Sequence, residues 1–526
     1  MTLGQPFVVR CAAGIASGAA LSLAFSSEDL GLLAWIALVP LFVVAQRSNA
    51  RQAFVAGFVC GAVAAWGIFG WLFVVPAFGA AQFIVLGVYV SLYPACWCAG
   101  VVMLARSHVP LAITAPALWV ALDMLRSHAG FLALPWATLA QSQQANLAVL
   151  QVAALGGEAA VTFVVVLGNV AIASLLQRRA WRGALAAAAA VGGVHAGGAL
   201  VLAIDAGPVP IVVAAVQPSI GLLERDTESG REATWQRLEH LTRRAAQSQP
   251  ALIAWPETAV GDPRHDARLA ARLAALAAQT STPLVVGASE TEKFVATDAA
   301  GLAVRERDNY NSAYVVRHDA PLAEPYRKRR LVPFGEYTPM AGVVSWPRWL
   351  VPDIVAGRSG DSGATFLIPH ASALVLRDGL RIGVLICWEN EFADLARQSV
   401  QDGAQVLVQL TNDAWFGRTR AAAQHNAASV LRAVENHVPV VIASNSGPSQ
   451  VIDARGRVKS RVASLFDKGV AIASVGVGNA GTPYSRTGDL FSFGCIACAA
   501  LALIRPGRTS QPAPTLQPAT LAKEAI

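Results

Sequence analysis

One cysteine stands apart from the other six and could act as a nucleophile. Cys387 follows the apolar run Arg381–Ile386, whereas the others lie in long apolar segments, at Cys11, Cys60, Cys96, Cys98, Cys495 and Cys498. A thiol without a second cysteine nearby is either a buried core residue or a nucleophile. The residues after Cys387 are typical of a helix start. We expect a strand-to-helix turn, which would expose the thiol and direct backbone N–H groups at an oxyanion.

A carboxylate and a lysine occupy positions from which they could assist that thiol. Glu257 follows the apolar run Ala251–Trp255 and a proline, where it could take a proton from a neighbouring thiol or simply cap a helix. Lys328 lies among arginines, in a chain where only 5 of 41 basic residues are lysine. A compact ammonium can approach an oxyanion more closely than a planar guanidinium. A basic surface loop or a contact with anionic lipid would also explain this segment.

The elements that must position these residues alternate between strands and helices. Six short apolar runs predict strands, at 211–216, 251–255, 284–287, 381–386, 406–410 and 440–443. Four amphipathic segments predict helices, at 231–247, 266–279, 391–401 and 420–437. This alternation predicts an α/β layered domain over residues 208–487, with its active residues at the carboxyl ends of the strands.

The rest of the chain is far more apolar than this domain. Residues 1–205 predict a membrane domain of about seven helices, over 7–25, 30–46, 54–75, 82–105, 110–126, 150–176 and 183–204. Residues 489–505 predict a final transmembrane helix, and 506–526 a disordered cytoplasmic tail rich in Pro, Thr, Ser and Ala. The first run lacks the features of a cleavable signal peptide, so we expect it to remain as a helix.

The distribution of basic residues predicts the orientation in the membrane. Loops with arginine fall on one side, with Arg126 as the exception. This places both termini in the cytoplasm and the α/β domain outside, in the periplasm of a bacterium. Within the membrane part a carboxylate is often functional. We expect Asp123 to pair with Arg126 near a helix end, whereas Glu158, after two glycines, is the stronger candidate for a functional role. The net charge of +7 is explained by these loops, and we expect no nucleic-acid binding.

Four motifs in chain order resemble the nitrilase, or carbon–nitrogen hydrolase, superfamily. They are Trp255-Pro256-Glu257-Thr258, Tyr326-Arg327-Lys328 with Leu331–Tyr337, Ile386-Cys387-Trp388-Glu389, and Leu410–Gly417. The resemblance implies an α-β-β-α sandwich and a Glu–Lys–Cys triad formed by Glu257, Lys328 and Cys387. When the membrane helices are considered as well, the whole chain resembles the apolipoprotein N-acyltransferase family. The fold class we expect is therefore a polytopic membrane domain of about eight helices plus an extramembrane nitrilase-like domain.

This resemblance implies a reaction and its partners. An acyl chain would pass from a membrane phospholipid, through a thioester on the cysteine, to the α-amine of a diacylglyceryl-cysteine lipoprotein, with ping-pong kinetics, at the bacterial inner membrane. No cofactor or metal is expected, and a monomer is favoured. At one position the chain departs from the family, because some members carry a tryptophan where this chain has Glu224-Arg225-Asp226. The residues that contact the substrate there are therefore not predicted. Trp388 also stands where many members have tyrosine.

Further residues are candidates for supporting roles. Glu336 and Glu389 could position Lys328 or the substrate amine, or form structural ion pairs, and Trp388 and Asn412 belong to the motifs. Several apolar residues could form a lid or enter lipid, or belong to an ordinary core: Val343, Val344, Trp346, Trp349, Trp415 and Phe416.

Three other functions compete with acyl transfer. A membrane-tethered amidase or hydrolase would use the same triad and pass the acyl group to water. A transporter would need paired charges inside the membrane, and a scaffold with an inactive enzyme domain is expected to lack a triad member. The sequence has few intramembrane charges and retains all three triad residues.

Overall fold

The structure is a computed structural model, and it describes most of the chain. The described residues are 6–26, 30–76, 78–178, 180–203, 209–221, 223–297, 303–351, 357–360, 365–368, 379–477 and 481–504. The tail predicted over 506–526 lies outside the described residues.

The amino-terminal region is helical and apolar, as the sequence predicts. Its helices are α1 (Phe7–Ala24), α2 (Ala34–Ala37), α3 (Val39–Ala45), α4 (Ala50–Phe69), α5 (Ala80–Leu104), α6 (Leu111–Ser127), α7 (Leu147–Leu150), α8 (Ala153–Leu176) and α9 (Trp181–Leu202). Five segments are long and apolar enough to cross a membrane: Phe7–Ala24, Ala50–Val74, Ala80–Leu104, Ala153–Leu176 and Trp181–Leu202. The other predicted spans form shorter helices, so the predicted total of eight stays a prediction.

The apolar run 30–46 forms broken helical pieces rather than one helix. Pro40, near the start of α3, cannot donate a backbone hydrogen bond, which favours a break just before it. The side chain of Asn169, buried on α8, bridges the gap. Its Oδ1 accepts from the backbone N–H of Leu38 and its Nδ2 donates to the carbonyl of Ala34, both at 2.8 Å. A single buried amide thus satisfies the two backbone groups that the break leaves free.

The described part of the second region contains twelve strands arranged in two six-stranded sheets. The strands are β1 (Val209–Gln217), β2 (Leu252–Ala254), β3 (Leu284–Thr297), β4 (Ala303–Val316), β5 (Tyr326–Arg327), β6 (Thr365–Ile368), β7 (Leu380–Ile386), β8 (Val406–Thr411), β9 (Val440–Ser444), β10 (Gln450–Ile452), β11 (Val458–Arg461) and β12 (Gly469–Val477). The sheet orders are β12-β1-β2-β3-β4-β5 and β11-β10-β9-β8-β7-β6. β1, β2 and β3 are parallel to one another, and so are β7, β8 and β9.

Helices cover the outer faces of both sheets. α10 (Glu228–Ala246) and α11 (Ala267–Thr280) follow β1 and β2, and α12 (Ala393–Gln401) and α13 (Ala421–Asn436) follow β7 and β8. The inner faces share one apolar core, in which Val213 and Val285 of the first sheet pack with Val384 and Val408 of the second. The predicted α-β-β-α sandwich is confirmed, and all six predicted strands and four predicted helices are present.

The sandwich packs directly on the helical region through its α12–α13 face. Leu431 and Val434 of α13 belong to the same buried cluster as Leu150 of α7 and Val161 of α8. The chain then passes through α14 (Pro483–Thr487) into the last helix, α15 (Leu490–Ile504), which packs beside α6. The layer that contains α13 therefore separates the sheet core from the membrane helices.

Candidate active site

Glu257, Lys328 and Cys387 each follow the end of a strand, and their side chains converge. Cys387 comes directly after β7, Lys328 after β5, and Glu257 three residues after β2. Cys387 has φ +51° and is the first residue of a 3-10 turn. This left-handed conformation is unusual for a non-glycine residue and is typical of a sharp turn that presents a nucleophile.

The Glu257 carboxylate lies at the centre of the three. Its Oε1 is 3.5 Å from Lys328 Nζ, and its charge acts on the pKa of the neighbouring Cys387 thiol. Two further donors fix it, since Asn311 Nδ2 donates to Oε1 at 2.6 Å and the backbone N–H of Asn412 donates to Oε2 at 2.8 Å. The carboxylate is therefore held in one orientation, facing the thiol and the ammonium together.

Lys328 is completely buried between two carboxylates. Its Nζ donates to Glu336 Oε1 at 2.8 Å, and Glu336 Oε2 in turn accepts from the backbone N–H of Val332. The sequence-based suggestion that Glu336 positions Lys328 agrees with this contact. A buried ammonium with two acid neighbours keeps its charge, because the ion pairs offset the loss of hydration.

Burial and charge set the protonation of the site. Burial, and next the charge of Glu257, raise the pKa of the Cys387 thiol well above its ordinary value, with Lys328 opposing. Burial also raises the pKa of Glu257, and the charge of Lys328 opposes that rise. For Lys328, burial acts to lower the pKa, but the neighbouring acids outweigh it and the pKa is raised. Burial and the charge of Glu257 therefore both favour the neutral form of the thiol.

Glu389 does not touch the Lys328 side chain but holds the backbone on both sides of the site. Its Oε1 accepts from the backbone N–H groups of Arg329 and Arg330, at 2.6 and 3.1 Å. Its Oε2 accepts from the hydroxyl of Tyr326 at 2.9 Å and from the backbone N–H of Ile386 at 2.8 Å. One buried carboxylate therefore joins the Lys328 segment to the end of the strand that carries Cys387.

Asn412 contributes its backbone to Glu257 and its side chain to the surrounding loops. While its N–H donates to Glu257, its Oδ1 accepts from Asn445 Nδ2 at 2.9 Å. Asn445 also binds both backbone groups of Ile220, in the loop after β1. The loops after β1, β8 and β9 are thereby tied together beside Glu257.

Aromatic residues of the helical region reach the site. Trp388 stacks on Trp136, with ring centroids 6.0 Å apart, and Phe416 packs edge-on against Trp71 at 4.8 Å. Trp136 Nε1 also donates to Gln424 Oε1 on α13, at 2.9 Å. The predicted residues Trp388 and Phe416 thus lie in the interface between the two regions. Trp415, by contrast, is 48% exposed and projects from the same loop.

The apolar segment 343–351 divides into buried and exposed parts. Trp346 is half-buried, donates to the carbonyl of Pro339 and packs edge-on against Phe334. Val343 is 82% exposed and Trp349 63% exposed, whereas Val344 is half-buried. Gln82, in the first turn of α5, donates to the carbonyls of Trp349 and Leu350 and so holds this segment beside the membrane helix.

Glu158 finds its partner in the α/β domain. Arg432 of α13 donates to Glu158 Oε2 at 2.8 Å and pairs with Glu435 at 2.9 Å, and the backbone N–H of Glu158 donates to Glu435. The chain bends here, because Gly157 has φ +69° and the Tyr484 ring stands 2.5 Å from the position of a Cβ. Asp123 pairs with Arg126 at 3.3 Å, as predicted.

No metal site was found at the triad or elsewhere in the described part of the chain. Among those residues, no group of three or more His, Cys, Asp or Glu side chains could hold an ion. The chemistry available is that of a thiol, a carboxylate and an ammonium, which suits attack on an acyl carbonyl and stabilisation of the resulting oxyanion.

Comparison with known proteins assigns both regions to one family. The profile of the carbon-nitrogen hydrolase family matches residues 212–482, and that of the apolipoprotein N-acyltransferase N-terminal domain matches residues 17–171. An apolipoprotein N-acyltransferase of Geobacter metallireducens is 35% identical over 509 residues, which are 93% of each chain. The chain belongs to the apolipoprotein N-acyltransferase family. Another member, from Gloeobacter violaceus, is 30% identical over 94% of this chain and 93% of its own.

Solved structures of other proteins resemble about half of this member of the family. Nit3 of Saccharomyces cerevisiae, a member of branch 10 of the nitrilase superfamily, is 20% identical. The match has a TM-score of 0.37 and covers 52% of this chain and 92% of that one.

Several residues at the site of this family member could not be predicted from the sequence. Asn311 lies on β4, a strand that the apolar runs do not reveal, and Trp71, Trp136 and Gln141 come from the family's N-terminal domain. Gln141 Nε2 donates to Glu391 Oε2 at 2.7 Å, although the two residues are 250 positions apart in the sequence. The only local signal is an unusual number of glutamines in the segment 141–144, between two apolar runs.

Proposed function

We propose that the chain transfers an acyl group from a membrane phospholipid to the α-amine of a diacylglyceryl-cysteine lipoprotein, through a thioester on Cys387. Membership of the apolipoprotein N-acyltransferase family supports an acyltransferase of the bacterial inner membrane. The observation that carries the proposal is the convergence of Glu257, Lys328 and Cys387, in which the carboxylate pairs with the ammonium and both charges act on the thiol.

In the first half-reaction Glu257 removes the proton from the Cys387 thiol, and the thiolate attacks an ester carbonyl of the phospholipid. The Lys328 ammonium and a backbone N–H near Trp388 stabilise the tetrahedral oxyanion. When the intermediate collapses, the carbon–oxygen bond breaks and Glu257 returns the proton to the departing alcohol, which leaves as lysophospholipid. Each oxyanion donor of this kind is worth about 3–4 kcal/mol of barrier.

In the second half-reaction the lipoprotein amine attacks the thioester. Glu257 accepts a proton from the attacking nitrogen, the carbon–sulfur bond breaks, and the thiolate recovers the proton to regenerate the resting thiol. Both substrates enter the same site in turn, which predicts ping-pong kinetics. Substrates anchored in lipid need a site at the head-group level, and we propose that the α/β domain faces the periplasm there.

The aromatic contacts with the helical region favour transfer over hydrolysis. Trp388 and Phe416 pack against Trp136 and Trp71, so apolar side chains of the family's N-terminal domain line one side of the site. Such a lining limits the access of water to a thioester while leaving a lipid-borne amine able to approach.

The test uses purified protein in detergent micelles with a phospholipid and a diacylglyceryl-cysteine peptide. We expect an N-acylated peptide to accumulate in equal amount with lysophospholipid. The matched control is the same peptide with its α-amine acetylated, which should stay unmodified. Release of free fatty acid at the same rate with either peptide would contradict transfer and identify a hydrolase.

A further inference from the structure

Arg225 carries a positive charge beside the catalytic carboxylate without an acid to pair with. It lies half-buried in the 3-10 turn Glu224–Asp226, and its Nη2 donates weakly to Thr258 Oγ1 at 3.4 Å. Thr258 directly follows Glu257. Among the described residues no carboxylate lies within salt-bridge distance of Arg225, and its Nε is buried with no hydrogen-bond partner. A half-buried guanidinium with unused donors is unfavourable unless an anion accepts hydrogen bonds from those donors.

The turn around Arg225 is held firmly in place. Its neighbour Glu224 binds Arg237 at 2.8 Å and accepts from the backbone N–H of Gly221 at 3.0 Å, on the side of the turn that faces α10. Upstream, Ile220 is bound through both backbone groups to Asn445, the residue that also binds Asn412 at the site. The turn that carries Arg225 is therefore anchored to α10 through Glu224.

Other arginines near the site already have partners. Arg327 binds the buried Glu290 at 2.6 Å, and Arg418 donates to the carbonyl of Leu465 and lies over the Phe466 ring. Among the described arginines beside the site, Arg225 thus keeps donors available to a ligand.

We propose that Arg225 binds the phosphate of the phospholipid acyl donor and so sets the preference for a phosphate-bearing lipid. The assignment rests on the proposed function. In a phospholipid the ester carbonyls and the phosphate are attached to the same three-carbon glycerol, so a carbonyl at Cys387 keeps the phosphate close to the site. A planar guanidinium matches the geometry of phosphate oxygens with two parallel hydrogen bonds.

The test compares two donors that differ in the head group, one with a phosphate and one without. Phosphatidylglycerol and a diacylglycerol with the same acyl chains are presented at equal mole fraction in the same micelles, and acylation of Cys387 is followed by intact mass. For Arg225→Gln we expect about a tenfold loss of kcat/KM with phosphatidylglycerol, mostly in KM, and no change with diacylglycerol. Arg225→Lys should recover part of the loss. The matched control is Arg268→Gln, on the exposed face of α11, which should leave both donors unaffected.

The outcomes separate the two proposals. An equal loss with both donors would overturn the phosphate assignment and make Arg225 a residue that acts on Glu257 or on the fold. Unchanged rates with phosphatidylglycerol would overturn it as well. If the wild-type protein gained no acyl group from either donor, the proposed function would fall, and the Arg225 assignment with it.

Discussion

The Glu389 carboxylate accepts a hydrogen bond from the backbone N–H of Arg329 at 2.6 Å, across 60 positions of sequence. The same side chain accepts from Ile386, the residue before the nucleophile. The distance between the ammonium and the thiol is therefore set by a buried residue that need not touch the substrate. Its burial raises its pKa, and the backbone donors that surround it oppose that rise.

Glu389→Gln should impair both stability and acylation. An amide retains one acceptor oxygen, and its NH2 group would face two of the four donors that the carboxylate now binds. The loss of two charge-assisted hydrogen bonds is worth roughly 3 kcal/mol. We expect a lower melting temperature and a Cys387 acylation rate at least tenfold lower. Glu324→Gln, at an exposed ion pair with Arg264, is the control and should change neither. A normal rate in Glu389→Gln would show that the site does not depend on this connection.

Lys328→Met should slow acylation while leaving the thiol in place. Removal of an oxyanion donor raises the barrier by about 3–4 kcal/mol, which corresponds to a loss of several hundredfold in the rate of thioester formation. Lys328→Arg should not restore the rate, because the fully buried site has no room for the larger guanidinium. Stopped-flow or quenched mass measurements would give the rate, with exposed Lys459→Met as the control. Full activity in Lys328→Arg would contradict a role that depends on the compact ammonium.

The stability of the protein should depend on pH through Glu391. Burial raises the pKa of Glu391 to about 8, from 4.5 in its ordinary state. Since the folded state keeps this proton and the unfolded state loses it, stability falls as pH rises from about 4.5 to 8 and then levels off. Glu391→Gln is uncharged throughout this range. Its melting temperature should fall less than that of the wild type between pH 5 and pH 8, with a difference on the order of 5 °C. Parallel curves for the two proteins would contradict this.

Trp349 and Trp346 should respond differently to substitution, although they are three residues apart. Trp349→Ser removes an exposed ring, so we expect about a tenfold loss of phospholipid turnover in vesicles and no loss with a water-soluble short-chain ester. Trp346→Ser breaks the packing with Phe334 and should lower turnover of both substrates, together with the melting temperature. Vesicle turnover unaffected by Trp349→Ser would exclude this segment from contact with lipid.

The sequence predicts the layered fold and the three central residues because both depend on local patterns. Glu257, Lys328 and Cys387 each follow a short strand, and the ends of strands converge in such a sandwich. Long-range polar contacts, by contrast, produce no local sequence pattern from which they could be predicted. Three of the four hydrogen bonds of Glu389, the Asn311 contact and the pairing of Glu158 with Arg432 connect residues tens to hundreds of positions apart. The break in the run 30–46 depends on Asn169, which is 131 positions away from Leu38.

The most direct test of the central claim is the intact mass of the protein after incubation with a phospholipid, without an acceptor. The account predicts an added acyl mass on the wild type that hydroxylamine removes, with one lysophospholipid released per adduct. Cys387→Ala should gain no mass, and Glu257→Gln should gain it far more slowly. An adduct of equal size and rate on Cys387→Ala, or turnover of phospholipid by that variant, would contradict a thioester on Cys387.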